Sequence, residues 1–161
     1  GNHTSVFDIP LAFAALPFWL VPIAKKELRS VFLLGWVMDT AGHIWVDRKN
    51  TDSALKSLQR AKESLMRIPR SILLFPEGTR TRSGLLATFK PGGLLISVDT
   101  NMPIVPIAFV GTFEKLKPES WSMDNNPVEL RIGKPISSKG YSVETRRELA
   151  NYVRGQVKKL Q

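Results

Sequence analysis

His3 and Asp8 stand near the amino end of the chain with four residues between them. On a regular helix that separation turns two side chains apart, whereas in a turn at the end of a strand they can converge. An imidazole held by a carboxylate is fixed in one tautomer, and its other nitrogen can take a proton from an alcohol near neutral pH. Left unpaired, the same residues are a surface histidine near an unrelated carboxylate. A second cluster is Phe75-Pro76-Glu77-Gly78-Thr79-Arg80. Gly78 lets the backbone approach a ligand with its amides exposed, Thr79 adds a hydroxyl and Arg80 a planar fork suited to phosphate. The plainer reading is a polar turn in which Glu77 pairs with Arg80. Arg48 follows a short apolar run, and Lys90 and His43 read as surface residues.

These groups need elements to hold them. His43-Ile44-Trp45-Val46 is β-branched and aromatic and reads as a strand ending at Asp47. Leu55, Leu58, Ala61 and Leu65 recur at helical spacing after a cap at Asn50 or Thr51, and Pro69 closes that helix. Ser71–Phe75 is a continuous apolar run, as in a strand buried on both faces. Strand, helix, strand implies a parallel pair joined by a crossover. Pro91 suits the start of a second helix, residues 104–109 form the next strand, and residues 128–132 alternate like an edge strand. Ser142 is placed to cap a terminal helix carrying Leu149, Val153, Val157 and Leu160 on one side. The fold class expected is α/β: a mostly parallel central sheet with flanking helices and a more irregular C-terminal part. In such sheets active groups lie past the carboxyl ends of strands, which suits Arg48 and residues 76–80. The strand supporting His3 and Asp8 would precede Gly1, so the sequence reads as trimmed at its amino end.

Bulk properties narrow the chemistry. A length of 161 residues fits one domain. Lys and Arg number 23 against 14 Asp and Glu, and a net charge of +9 calls for an anionic partner. The basic residues are scattered and no reader motif is present, so nucleic acid is not the expected one. With no cysteine there is no disulfide, thiolate nucleophile or thiolate metal site, and no other metal-ligand spacing is visible. There is no G-x-S-x-G elbow, P-loop or dinucleotide fingerprint. The uncharged run at residues 9–24, interrupted by Pro10, Pro17 and Pro22, is shorter than the roughly 20 residues a spanning helix requires. It reads as a buried, partly irregular segment, or as a patch dipping into one leaflet with Phe13, Phe18 and Trp19 at the interface.

Four blocks in order resemble the PlsC-like lysophosphatidic acid acyltransferases. Asn2-His3-Thr4-Ser5-Val6-Phe7-Asp8 matches the family's N-H-x4-D block, and residues 42–48, GHIWVDR, match a G-x-I-F-I-D-R block. Residues 75–80 match F-P-E-G-T-R-S, with Thr81 where serine is usual, and residues 102–107, MPIVPI, match V-P-I-V-P-V. The resemblance implies a glycerolipid acyltransferase catalytic domain over residues 1–161, lacking its N-terminal strand and membrane-associated helices. It makes His3 the general base, oriented by Asp8. It gives Arg48 a share of the acceptor phosphate, and Glu77, Gly78, Thr79 and Arg80 the glycerol phosphate head.

The implied reaction moves a fatty acyl group from an acyl thioester, acyl-CoA or acyl-carrier protein, to the free sn-2 hydroxyl of lysophosphatidic acid. It needs neither metal nor cofactor. The same chemistry on glycerol 3-phosphate or another lysolipid stays open, as does a non-catalytic basic module that binds membranes. The partners implied are a lysophospholipid acceptor, the thioester donor and an anionic membrane surface. The place implied is the cytoplasmic face of a membrane, a bacterial inner membrane being the expected one, held peripherally or through an N-terminal segment.

Overall fold

The three prolines that interrupt the apolar run at residues 9–24 punctuate two regular elements. A computed structural model describes residues 1–46, 70–116 and 123–161, together with Gln59, Lys62, Glu63, Leu65 and Arg67 between them. Helix α1 spans Asp8–Ala15 and strand β1 spans Leu20–Lys25. Pro10 lies in the first turn of α1, where backbone N–H groups have no partner within the helix, so its missing donor costs little. Pro17 lies between the two elements.

Pro22 falls where β1 changes neighbours. Leu20, Val21 and Pro22 pair in parallel with Ser71–Leu73 (β3), and Ile23, Ala24 and Lys25 pair in parallel with Ile44–Val46 (β2). The run expected to be irregular or membrane-dipping thus supplies the central strand of a parallel sheet ordered β2-β1-β3. The expected parallel arrangement of β2 and β3 holds, but each pairs with β1 rather than with the other. Leu20, Val21, Ala24 and Leu73 are buried.

Contacts divide the chain into two compact units, Gly1–Pro17 with Phe75–Gln161, and Phe18–Leu74. The second unit holds the three-stranded sheet, a 3-10 turn at Lys26–Ser30 and helix α2 (Leu34–Thr40). Trp45 donates its indole N–H to Asp39 at 2.6 Å, and Arg29 donates to the same carboxylate at 3.0 Å; these bonds hold Asp39 below the usual carboxylate range. The side chains of Val31, Phe32, Leu33, Trp36 and Val37 are exposed, Phe32 at 95%. His43, expected on the surface, is partly covered: its Nδ1 is buried without a partner among the described residues, and burial holds the ring below the ordinary histidine range. Of the stretch expected to be a helix before Pro69, the five described positions are helical; Leu55, Leu58 and Ala61 lie outside the described residues, as do Asp47 and Arg48.

The first unit holds α1, helix α3 (Leu95–Thr100), strand β4 (Ile107–Val110), the short helix α4 (Thr112–Lys115), strand β5 (Glu129–Ile132) and helix α5 (Arg146–Leu160). A 3-10 turn at Gly92–Leu94 follows Pro91 and leads into α3, so the expected helix begins as a tighter turn. β4 and β5 pair antiparallel, from Ile107 opposite Ile132 to Val110 opposite Glu129. The strand expected from residue 104 is shorter, and Ile104 instead forms a lone bridge with Ile136. In α5 the N-cap is Thr145, not Ser142, whose N–H donates to the Thr145 hydroxyl at 2.8 Å. Leu149, Val153 and Val157 recur every four residues and are buried, each contributing about 1.5–3 kcal/mol through removal from water. With Ile107, Ala108, Phe109 and Leu94 they form the core beneath the N-terminal loop.

Candidate active site

Asp8 opens α1, and its side chain turns back over the loop that precedes it. The carboxylate is wholly buried, and a buried charge persists only when its oxygens are satisfied. Oδ2 accepts the N–H of Thr4 at 2.7 Å and of Ser5 at 2.9 Å, and lies 2.8 Å from His3 Nδ1. Oδ1 accepts the Thr112 hydroxyl at 2.7 Å. Thr4 Oγ1 is 2.7 Å from Thr112 Oγ1 but 3.4 Å from Asp8 Oδ1. Each hydroxyl has one proton, so the chain of donation runs from Thr4 to Thr112 to Asp8.

An ionised carboxylate only accepts, so Nδ1 of His3 carries the proton that bridges to Asp8. In the neutral ring Nε2 then carries the lone pair, and it has no hydrogen-bond partner among the described residues. The ring stacks on Phe75 at 4.1 Å between centroids and 21° between planes, and Phe75 in turn leans on Phe109 at 5.7 Å. The side chain of His3 is 17% exposed, which leaves one edge open for a proton donor. The two residues separated in sequence by a turn thus form the coupled pair expected of them.

The backbone of His3 is gripped from two sides. Its N–H donates to Glu77 Oε1 at 2.7 Å, and its carbonyl accepts the Thr81 N–H at 2.9 Å. The second oxygen of Glu77 accepts the Ala87 N–H at 2.8 Å. Glu77 is therefore buried and turned toward backbone amides, and neither the expected head-group contact nor the alternative pairing with Arg80 describes its bonds. Asn2, not among the residues expected in the site, is wholly buried. Its amide donates to the Phe109 carbonyl at 2.9 Å and accepts the Phe109 N–H at 2.7 Å, tying the loop to β4. Its place in the N-H-x4-D block was the available signal. Thr112 had none, because it meets Asp8 across 104 positions of sequence.

Beyond buried Glu77 the loop comes to the surface. Gly78 has φ +79°, a left-handed conformation that side chains rarely adopt, and its N–H is spent on the Phe75 carbonyl at 3.0 Å. That bond closes the turn. Thr79 and Arg80 are exposed, and Arg80 has no ion pair among the described residues. Lys90 brings a second cation: its Nζ lies 3.1 Å from where a Cβ on Gly78 would sit. Among the described residues no group of three or more His, Asp or Glu side chains is arranged to hold a metal ion.

A family model described as Acyltransferase matches residues 1–110. A 1-acyl-sn-glycerol-3-phosphate acyltransferase of Cocos nucifera is 33% identical over 143 residues, 89% of this chain and 46% of that protein. The Haemophilus influenzae protein of that name is 31% identical over 153 residues, 94% of this chain and 62% of that one. A human alpha form is 30% identical over 154 residues, 96% of this chain and 54% of its own length. The crystal structure of the 1-acyl-sn-glycerophosphate acyltransferase PlsC from Thermotoga maritima superposes with a TM-score of 0.78 at 31% identity, covering 99% of this chain and 64% of that one. This chain thus spans about half the length of the curated relatives it matches. The mixed α/β fold, the ordered blocks and these likenesses agree: the chain belongs to the acyltransferase family, with the PlsC-like lysophosphatidic acid acyltransferases.

Proposed function

We propose that this chain transfers a fatty acyl group from an acyl thioester, acyl-CoA or acyl-carrier protein, to the sn-2 hydroxyl of lysophosphatidic acid, giving phosphatidic acid. The reading is carried by His3, whose Nδ1 is bound to buried Asp8 while Nε2 has no hydrogen-bond partner among the described residues. Nε2 takes the hydroxyl proton as the oxygen attacks the thioester carbonyl. The tetrahedral intermediate collapses by breaking the C–S bond, and the thiolate leaves and takes up the proton held by the imidazolium. A thiolate leaves readily, so the demand is for a base and for alignment, and no cofactor is invoked.

Arg80 and Lys90 are the cations assigned to the acceptor phosphate, with Gly78 and Thr79 shaping the turn that leads into Arg80. Arg48 keeps its share on the family resemblance alone. Glu77 is assigned to positioning His3. The net charge of +9 and the exposed apolar residues at 31–37 support work at an anionic membrane surface, on its cytoplasmic face where thioester donors are made. Among the described residues no helix is long and apolar enough to cross a membrane.

The test is thiol release from acyl-CoA with lysophosphatidate as acceptor. His3→Ala is expected to lower turnover by about 10²–10⁴-fold. Near-wild-type turnover in that variant overturns the mechanism. A panel including glycerol 3-phosphate and phosphate-free lysolipids identifies the acceptor. Binding to anionic vesicles with no transfer from any donor would favour a non-catalytic membrane module instead.

A further inference from the structure

A side chain far from the N-terminal loop bears on the placement of His3. Arg154, in the middle of α5, donates from Nε to the Ala87 carbonyl at 2.8 Å and from Nη2 to the Leu86 carbonyl at 2.8 Å. The N–H of that same Ala87 donates to Glu77 Oε2 at 2.8 Å, and Glu77 Oε1 holds the His3 N–H at 2.7 Å. Among the described residues, the long-range hydrogen bonds of residues 82–89 are these contacts with Glu77 and Arg154. The loop is therefore fixed from one side by α5, and it fixes Glu77 from the other.

We propose that Arg154 is a positioning residue for acyl transfer: by clamping the Leu86 and Ala87 peptides it holds Glu77, and through Glu77 it sets where the His3 ring stands. This rests on the reading of His3 as the base. The rigid fork of a guanidinium spans two successive carbonyls, whereas a lysine ammonium is a single point donor. Arg154 lies beyond the residues that the family model matches, so no motif points to it. The carbonyls it holds belong to a half-exposed loop and can turn to water when it is lost, so the fold is expected to survive substitution.

The experiment compares Arg154→Gln and Arg154→Lys in the full chain, with lysophosphatidate and acyl-CoA as substrates. The expected result for Arg154→Gln is kcat lowered about tenfold with both KM values within about twofold, because a small misplacement of a reacting group acts on turnover. Arg154→Lys is expected to recover part of the loss. The second readout is the ring-nitrogen NMR signals of labelled histidine. The chain has two histidines, so the His3 signals should move while those of His43 stay. Unchanged kcat in both variants, or a loss that tracks the thermal midpoint while the His3 signals hold still, overturns the proposal. If Arg154→Gln does not fold, Arg154→Lys decides on the same readouts. His3→Ala run alongside separates the two readings: full activity there removes the base, while the His3 signals in the Arg154 variants still report the clamp.

Discussion

Two regions of one unit handle charge in opposite ways. Asp8 has no exposed surface, and its oxygens meet two amides, a hydroxyl and an imidazole at 2.7–2.9 Å. Arg80 is exposed with no ion pair among the described residues, and Lys90 beside Gly78 is exposed too. A proton acceptor works only in one orientation, so its partners must be in place before the substrate arrives. A receiver for an anion loses little by staying hydrated until the anion comes, and it gains charge-assisted bonds only then. Under the proposed function, alignment belongs to the buried region and capture to the exposed one.

The loss set by His3→Ala is the ceiling against which this contrast is judged. Asp8→Asn should come next, with turnover lowered by most of that loss because the imidazole loses its fixed tautomer. It should also lower stability by about 2–3 kcal/mol, since a carboxamide NH2 must face donors that now lack an acceptor. Thiol release and denaturant titration read the two effects separately. Thr112→Val keeps the shape but removes the hydroxyl that Asp8 accepts at 2.7 Å and that Thr4 donates to. A stability loss of about 1–2 kcal/mol is expected, with a severalfold fall in kcat. Arg80→Ala should have the smallest effect on the fold and none on alignment. The KM for a phosphate-bearing acceptor should rise about tenfold with kcat within about twofold and the thermal midpoint unmoved. Should Arg80→Ala destabilise the chain as Asp8→Asn does, the contrast between the two regions is lost.

Reading the sequence reached furthest where chemistry is local. His3 and Asp8 meet within one turn, so residue types and spacing were enough to expect the pair. β3 and α5 announced themselves through an apolar run and a four-residue period. β1 did not, because Pro22 argues against a central strand unless one knows that its pairing changes sides at that residue. Glu77 was singled out but its direction was hidden: nothing near residue 77 tells that the carboxylate turns inward to an amide 74 positions away. Thr112 and Arg154 act through contacts of the same long kind, with partners that composition does not mark. Arg48 lies outside the described residues, so its assignment still stands on its motif.

Asn2 makes one more thing follow. By accepting from the N–H and donating to the C=O of Phe109, its carboxamide behaves as one extra rung on the edge of β4. Peptide groups along a strand face alternate sides, so a slip of β4 by a single position would offer this rung the wrong side of the ladder. Misregistered chains would thereby lose the anchor of the loop that carries His3 together with the β4–β5 pairing, so one register secures both.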